Sequence, residues 1–280
     1  MNALEIKNLS KSYKDFCLKD LSFTLPGGCI MGLVGENGAG KSTTIKLILD
    51  IVKKDSGSVT VLGRDHQHQS HLTKQDIGVV FDEPAFPLCL SARQIGKVMK
   101  LTYSGWSNDT YCGLLSRFGL PLDKEFKDFS RGMKMKLSIA AALSHKPKLL
   151  LLDEPTGGLD PVVRDEIVDI LFDFARDEEH SILISSHIVS DLEKLCDYIA
   201  FLHKGRLLLC DEKDKLLSDH ALVRCSKEQF KELPENKVRY KKETAYYVDA
   251  MMLREDIPPQ FEAFPITIEE LFLFMVKEGE

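Results

Sequence analysis

The sequence predicts an α/β fold built on a mainly parallel central sheet. Two observations carry that prediction. Short, uninterrupted apolar runs recur along the chain, and stretches with helical spacing separate several of them. The first of these runs, residues 29–35, feeds directly into a glycine-rich turn and then a helix. An apolar run with no polar alternation is what a strand covered on both faces looks like.

The elements follow in order. Leu4 and Ile6 alternate with polar residues, as does the stretch 22–25, so both read as half-buried strands of a small antiparallel unit. Ile45, Ile48 and Leu49 have helical spacing after the turn. Further strand candidates are 59–62, 77–81, 149–152, 182–185, 198–202 and 207–210, with helical patterns at 163–176 and 188–196. Residues 88–145 hold no strong strand; they read as helices broken near Ser104, Gly119 and Asp128, inserted between two strands of the sheet. The pattern changes after about residue 215. Segment 216–265 is charged and carries Pro234, Pro258, Pro259 and Pro265, with one weak hairpin at about 237–250. Thr267 and Glu270 then form a capping-box pair at the head of an apolar helix. The expected organisation is an α/β domain over 1–215, with the helical insertion at about 88–145, and a short α+β accessory region over 216–280.

Composition excludes several classes. At 280 residues with 44% hydrophobic and 29% charged residues, the chain is an ordinary globular protein with enough length to bury a full core. The net charge, 37 − 43 = −6, disfavours a globally basic nucleic-acid binder. Seven scattered cysteines without a CxxC pair argue against a disulfide framework or a zinc site and fit a reducing compartment. No run of about 18 apolar residues is present, so any membrane role goes through a partner. His66, His68 and His71 lie close together in a polar loop, but lack the fourth group and rigid geometry of a metal site.

Gly35, Gly40, Lys41 and Ser42 complete the pattern G-x-x-x-x-G-K-[ST], with Asn37, Gly38, Ala39 and Thr43 beside them. The chemistry needs these residue types. Backbone N–H groups of such a turn converge on phosphate oxygens, and the following helix adds positive partial charge. Glycines let the backbone approach the ligand. Lys41 reaches the β- and γ-phosphates, and the Ser42 hydroxyl suits Mg²⁺. The fold class is therefore that of a P-loop NTPase. At the end of the 149–152 strand stand Asp153 and Glu154. Alternation along a strand would send them to opposite sides, Asp153 to Mg²⁺ and Glu154 to a water attacking the γ-phosphate.

Taken together, residues 1–215 resemble the ATP-binding subunit of an ABC transporter. The run 129–133 (Phe-Ser-Arg-Gly-Met) is similar to the family's signature, 156–160 (Thr-Gly-Gly-Leu-Asp) to its D-loop, and 185–187 (Ser-Ser-His) to its switch histidine. Tyr13 sits where the family stacks an aromatic ring on adenine, and 77–82 sits where it has its Q-loop. The resemblance implies ATP and Mg²⁺ as cofactors. It implies Lys41, Glu154 and His187 as catalytic residues, with Ser42, Asp153 and Asp82 at the metal. It also implies that Ser130, Gly132 and Asp160 complete the nucleotide site of a second ATP-binding subunit, in a homodimer or heterodimer. A separate transmembrane permease subunit would hold the protein on the cytoplasmic face of the membrane. Local strings resemble bacterial exporters of drugs, bacteriocins or peptides. Three positions depart from the family pattern: Arg131 replaces the first signature glycine, Met133 stands at the last signature position, and Asp82 stands in place of the Q-loop glutamine. A non-transport ABC ATPase acting on nucleic acid, and an ATP sensor without turnover, are the competing readings. A GTPase finds no N-K-x-D base reader, since 236–239 is Asn-Lys-Val-Arg.

Overall fold

The computed structural model describes residues 1–65, 73–83 and 86–278. The three histidines at 66, 68 and 71 lie outside the described residues.

The central sheet has six strands in the order β10-β9-β3-β8-β7-β6: β3 (Ile30–Val34), β6 (Ile77–Val80), β7 (Leu149–Asp153), β8 (Ser181–Ser186), β9 (Tyr198–His203) and β10 (Arg206–Glu212). Every pairing is parallel except β9 with β10, which a tight turn joins as an antiparallel edge. β7 shows why its run is uninterrupted. Leu149 and Leu151 enter one core cluster while Leu150 and Leu152 enter another, so both faces of the sheet are covered.

The first of these clusters lies between the central sheet and an antiparallel sheet in the order β2-β1-β4-β5, made of β1 (Asn2–Ser12), β2 (Cys17–Pro26), β4 (Ser56–Val61) and β5 (Arg64–Asp65). Leu4, Leu21, Leu25 and Val61 meet Met31, Leu33 and Leu183 there, with Ile45 and Ile48 of α1 (Lys41–Ile48) between the layers. On the opposite face lie a helical stretch, α2 (Ala92–Thr102), α3 (Asn108–Arg117) and α4 (Arg131–Leu143), and then α5 (Pro161–Ala175) and α6 (Val189–Leu195). Within that stretch α2 packs on α3 by close approach. A Cβ on Gly96 would lie 2.5 Å from the Tyr111 ring, and the Tyr111 hydroxyl donates to the Ala92 carbonyl at 2.8 Å. Trp106 packs half-buried, 5.0 Å from the Tyr111 ring.

Beyond β10 come α7 (Lys213–Asp219), β11 (His220–Cys225), α8 (Lys227–Phe230), β12 (Tyr240–Glu243), β13 (Val248–Leu253), β14 (Ala263–Phe264) and α9 (Ile268–Glu278). The expected single hairpin is the β12–β13 half of a fuller antiparallel sheet, β12-β13-β11-β14. Its centre, β11, pairs with β13 along six residues that are distant in sequence. The capping box of α9 is present: Glu270 N–H donates to Thr267 Oγ1 at 3.2 Å, and Thr267 N–H donates to Glu270 Oε2 at 3.0 Å. α9 docks on the central domain, with Phe272 5.4 Å from Phe201 of β9.

Candidate functional site

β3 delivers the chain to the glycine-rich turn at the carboxyl edge of the parallel strands, where open α/β sheets place their ligand crevices. Gly35 starts the turn in a packed position, where a Cβ would stand 2.5 Å from the Leu202 carbonyl oxygen. Gly40 has a left-handed φ of 112°, and a Cβ there would meet Phe16 at 2.9 Å. Ala39 is buried, and its carbonyl accepts from Gly205 N–H at 3.0 Å. The turn leads into α1 at Lys41.

The cleft over this turn has a volume of about 490 Å³ and is lined by Asp15, Phe16, Glu36, Asn37, Gly38, Gly40, Lys41, Ser42, Thr43, Asp82 and Glu154. Its central contact is a charged relay. Lys41 Nζ donates to the Gly35 carbonyl at 2.7 Å and the Glu36 carbonyl at 3.2 Å, and pairs with Glu154 Oε1 at 3.1 Å. The other carboxylate oxygen of Glu154 accepts from the His187 backbone N–H at 3.2 Å and lies 2.7 Å from His187 Nδ1. Lys41 and Glu154 are buried, whereas the His187 side chain is about half exposed.

Asp153 sits buried at the end of β7, and Ser185 of β8 donates its hydroxyl to Asp153 Oδ1 at 2.6 Å. The expectation that simple strand alternation separates Asp153 from Glu154 needs correcting. β7 ends at Asp153, and Glu154 turns out of the strand with a left-handed φ of 51°. Its N–H donates to the Ser185 carbonyl at 3.1 Å and to Ser185 Oγ at 3.2 Å. That conformation is costly for a residue with a Cβ, so the surrounding contacts hold it. A left-handed backbone turn at Glu154, not the pleat, therefore sets the course of its side chain.

Ser130, Gly132 and Asp160 lie together in a separate recess of about 260 Å³, which also includes Arg131, Met133, Lys136 and Val163. Ser130 caps α4, its hydroxyl accepting from Met133 N–H at 3.3 Å, and Asp160 caps α5, accepting from Val163 N–H at 3.1 Å. Gly132 has no crowding within its own chain: a Cβ would come no closer than 3.4 Å, to Val163. Asp82 lines the first cleft but is not free there, because Arg131 Nη2 donates to its Oδ1 at 2.6 Å. Tyr13 is exposed, 6.5 Å from the Phe16 ring and with Lys11 Nζ 5.7 Å from its centre, so Phe16 lines the cleft and Tyr13 does not. Sequence reasoning passed over Phe16, although an aromatic three residues beyond Tyr13 and just ahead of β2 was there to be read. It also passed over Asp191 of α6. That buried carboxylate accepts from Thr156 Oγ1 at 2.9 Å and from Arg164 Nε at 2.7 Å, tying the loop after Glu154 to the helix after His187.

The parallel sheet, the glycine turn and the paired Lys41 and Glu154 define a P-loop nucleoside triphosphatase. The family model described as ABC transporter matches residues 18–157. A lantibiotic transport ATP-binding protein, SrtF, of Streptococcus pyogenes is 42% identical over 214 residues, which is 75% of this chain and 91% of that protein. A bacitracin transport ATP-binding protein, BcrA, of Enterococcus faecalis is 34% identical over 208 residues, covering 73% of this chain and 68% of that one. Among solved structures, an ATP-binding subunit of an ABC transporter superposes with a TM-score of 0.69 at 29% identity, covering 76% of this chain and 91% of that chain. The chain belongs to the ABC transporter family. It is an ATP-binding, ATP-hydrolysing subunit of such a transporter.

Proposed function

We propose that this subunit powers the export of antimicrobial peptides, working on the cytoplasmic face of the membrane as one of two ATP-binding subunits beneath a separate permease. The observation that carries the cargo class is the kinship to lantibiotic and bacitracin transport proteins. No described helix is long and apolar enough to cross a membrane, so coupling to the membrane is assigned to the permease. The −6 charge supports a protein partner over nucleic acid. Residues 1–215, including the helical stretch 88–145, form the ATP-binding domain in this reading, and 216–280 form an accessory region.

The reaction is in-line attack of water on the γ-phosphorus. A P–O bond to that water forms, the bond to the bridging oxygen breaks, and its electron pair leaves with ADP. Incoming phosphates draw Lys41 from the Gly35 and Glu36 carbonyls and from Glu154. Glu154, freed on that side and still held through His187, orients the water and accepts its proton. His187 presents its second ring nitrogen to the γ-phosphate. Phe16 and Tyr13 are the aromatic candidates for the base. Mg²⁺ is supported by the donor set: the hydroxyl of Ser42 and the carboxylate of Asp153, oriented by Ser185, are hard oxygen ligands. No cluster of three or more His, Cys, Asp or Glu side chains among the described residues could cage a metal. Mg²⁺ held by Ser42 and Asp153 would supply positive charge against the phosphates. Ser130, Gly132 and Asp160 of one subunit cap the ATP of the other, which makes the dimer ATP-dependent.

The test is reconstitution with a multi-span membrane protein that co-purifies with this subunit. ATP-dependent movement of a lantibiotic out of cells or into inverted vesicles is the expected result. ATPase activity that no antimicrobial peptide stimulates, with no change in resistance on deletion, would reject the cargo class.

A further inference from the structure

Two of the departures from the family pattern are in contact with each other. Arg131, in place of the first signature glycine, donates to Asp82, in place of the Q-loop glutamine, at 2.6 Å across 49 positions of sequence. The family residues could not make this ion pair, because glycine has no side chain and glutamine carries no charge. The pair is about half exposed, so it adds little to folding stability. Its position matters more. Asp82 lines the nucleotide cleft beside Lys41, Ser42 and Glu154. Arg131 lines the recess of Ser130 and Gly132, and its guanidinium carbon lies 3.3 Å from where a Cβ on Gly158 would stand.

We infer that Arg131 is a positioning residue through which the two ATP sites of the dimer communicate. The inference rests on the dimer reading above. One guanidinium joins a carboxylate of the chain's own cleft to the helix end that serves the partner's cleft. A triphosphate entering the first cleft brings negative charge close to Asp82. The balance of attraction on Arg131 then changes, and with it the setting of Ser130 and Gly132 at the other site. Coupling of this kind is reciprocal, so capping of the partner's ATP also tightens the chain's own site.

The test uses full-length Glu154→Gln protein as parent, with Arg131→Gly, Asp82→Gln and the double substitution, which restores both family residues. Light scattering gives the dimerisation constant at saturating Mg-ATP, and a fluorescent ATP analogue gives binding curves. Each single substitution is expected to weaken the dimer about five-fold, the low end of measured site-to-site coupling, and to remove cooperativity from the binding curve. The double variant is expected to lose no more than either single, because both substitutions break the same contact. Singles that match the parent, or losses that multiply in the double variant, overturn the inference while the dimer stands. A parent that stays monomeric with Mg-ATP overturns the dimer reading and this inference with it.

Discussion

Glu154 and His187 share a carboxylate oxygen twice over, at 2.7 Å to Nδ1 and at 3.2 Å to the backbone N–H, while Lys41 holds the other oxygen at 3.1 Å. The acid is thus fixed at both ends before a nucleotide arrives. Replacing it with an amide keeps its size and removes its basicity. Glu154→Gln is expected to lower phosphate release by at least about 100-fold while ATP binding persists. Steady-state turnover alongside a nucleotide-binding titration checks this. Loss of binding together with turnover would mean that Glu154 holds the loop and does not act on water.

Gly132 separates folding from assembly. It lies in the first turn of α4, and its own chain leaves room for a methyl group. Gly132→Ala is therefore expected to melt at the same temperature or higher, since alanine gains about 0.5–1 kcal/mol over glycine in a helix. In the Glu154→Gln background the same change should weaken the ATP-driven dimer at least about ten-fold, a cost of about 1.4 kcal/mol. Light scattering with Mg-ATP reads the second effect, and a thermal melt without nucleotide reads the first. A dimer as strong as the parent's would place the capping surface elsewhere.

Asp191 is buried between Thr156 and Arg164 and has a further contact from Arg164 Nη2 at 2.5 Å. Removing one member of such a pair leaves a partly buried charge unanswered. Asp191→Ala is expected to cost about 3 kcal/mol of folding stability. Urea denaturation measures it. The conservative Asp191→Asn keeps the bond to Thr156 and should lose less.

Acidification acts on His145. Its Nε2 lies 3.1 Å from the Ile77 carbonyl, so that nitrogen carries the proton, and Nδ1 is buried with no hydrogen-bond partner among the described residues. The ring stacks on Tyr103 with centres 3.9 Å apart. Burial pushes the His145 pKa below its ordinary 6.5. The unfolded chain then binds more protons than the folded one as pH falls through 6.5, and stability drops with it. Denaturation midpoints measured from pH 7.5 to 5 should decline, and His145→Gln should decline less steeply. Identical slopes in the two proteins would assign the acid sensitivity to other groups.

Much of this was legible in the residues because it is local. The run 149–152 announces a strand covered on both faces, and β7 feeds both core clusters. The spacing of Gly35, Gly40, Lys41 and Ser42 fixes a strand–turn–helix, which β3 and α1 supply. What stayed hidden depends on residues far apart in sequence. The left-handed backbone of Glu154 is set by Ser185 on the neighbouring strand, and period-2 reasoning has no access to it. Arg131 and Asp82 look like unrelated oddities until the helical stretch folds back on the sheet. β11 pairs with a strand more than twenty residues later, so its weak alternation gave only the nearer hairpin away.

The turn between β9 and β10 stands behind the nucleotide cleft. Gly205 donates its N–H to Ala39 and accepts from Lys19 N–H at 2.8 Å, and a Cβ there would fall 1.9 Å from the Cys17 carbonyl oxygen. A single main-chain corner therefore braces the floor of the cradle against the strand that carries Phe16 to its rim. The loop meets its ligand already shaped, so little disorder has to be frozen out on capture. Gly205 lies far downstream of the turn, yet it is as intolerant of a side chain as Gly35 and Gly40 in the cradle itself.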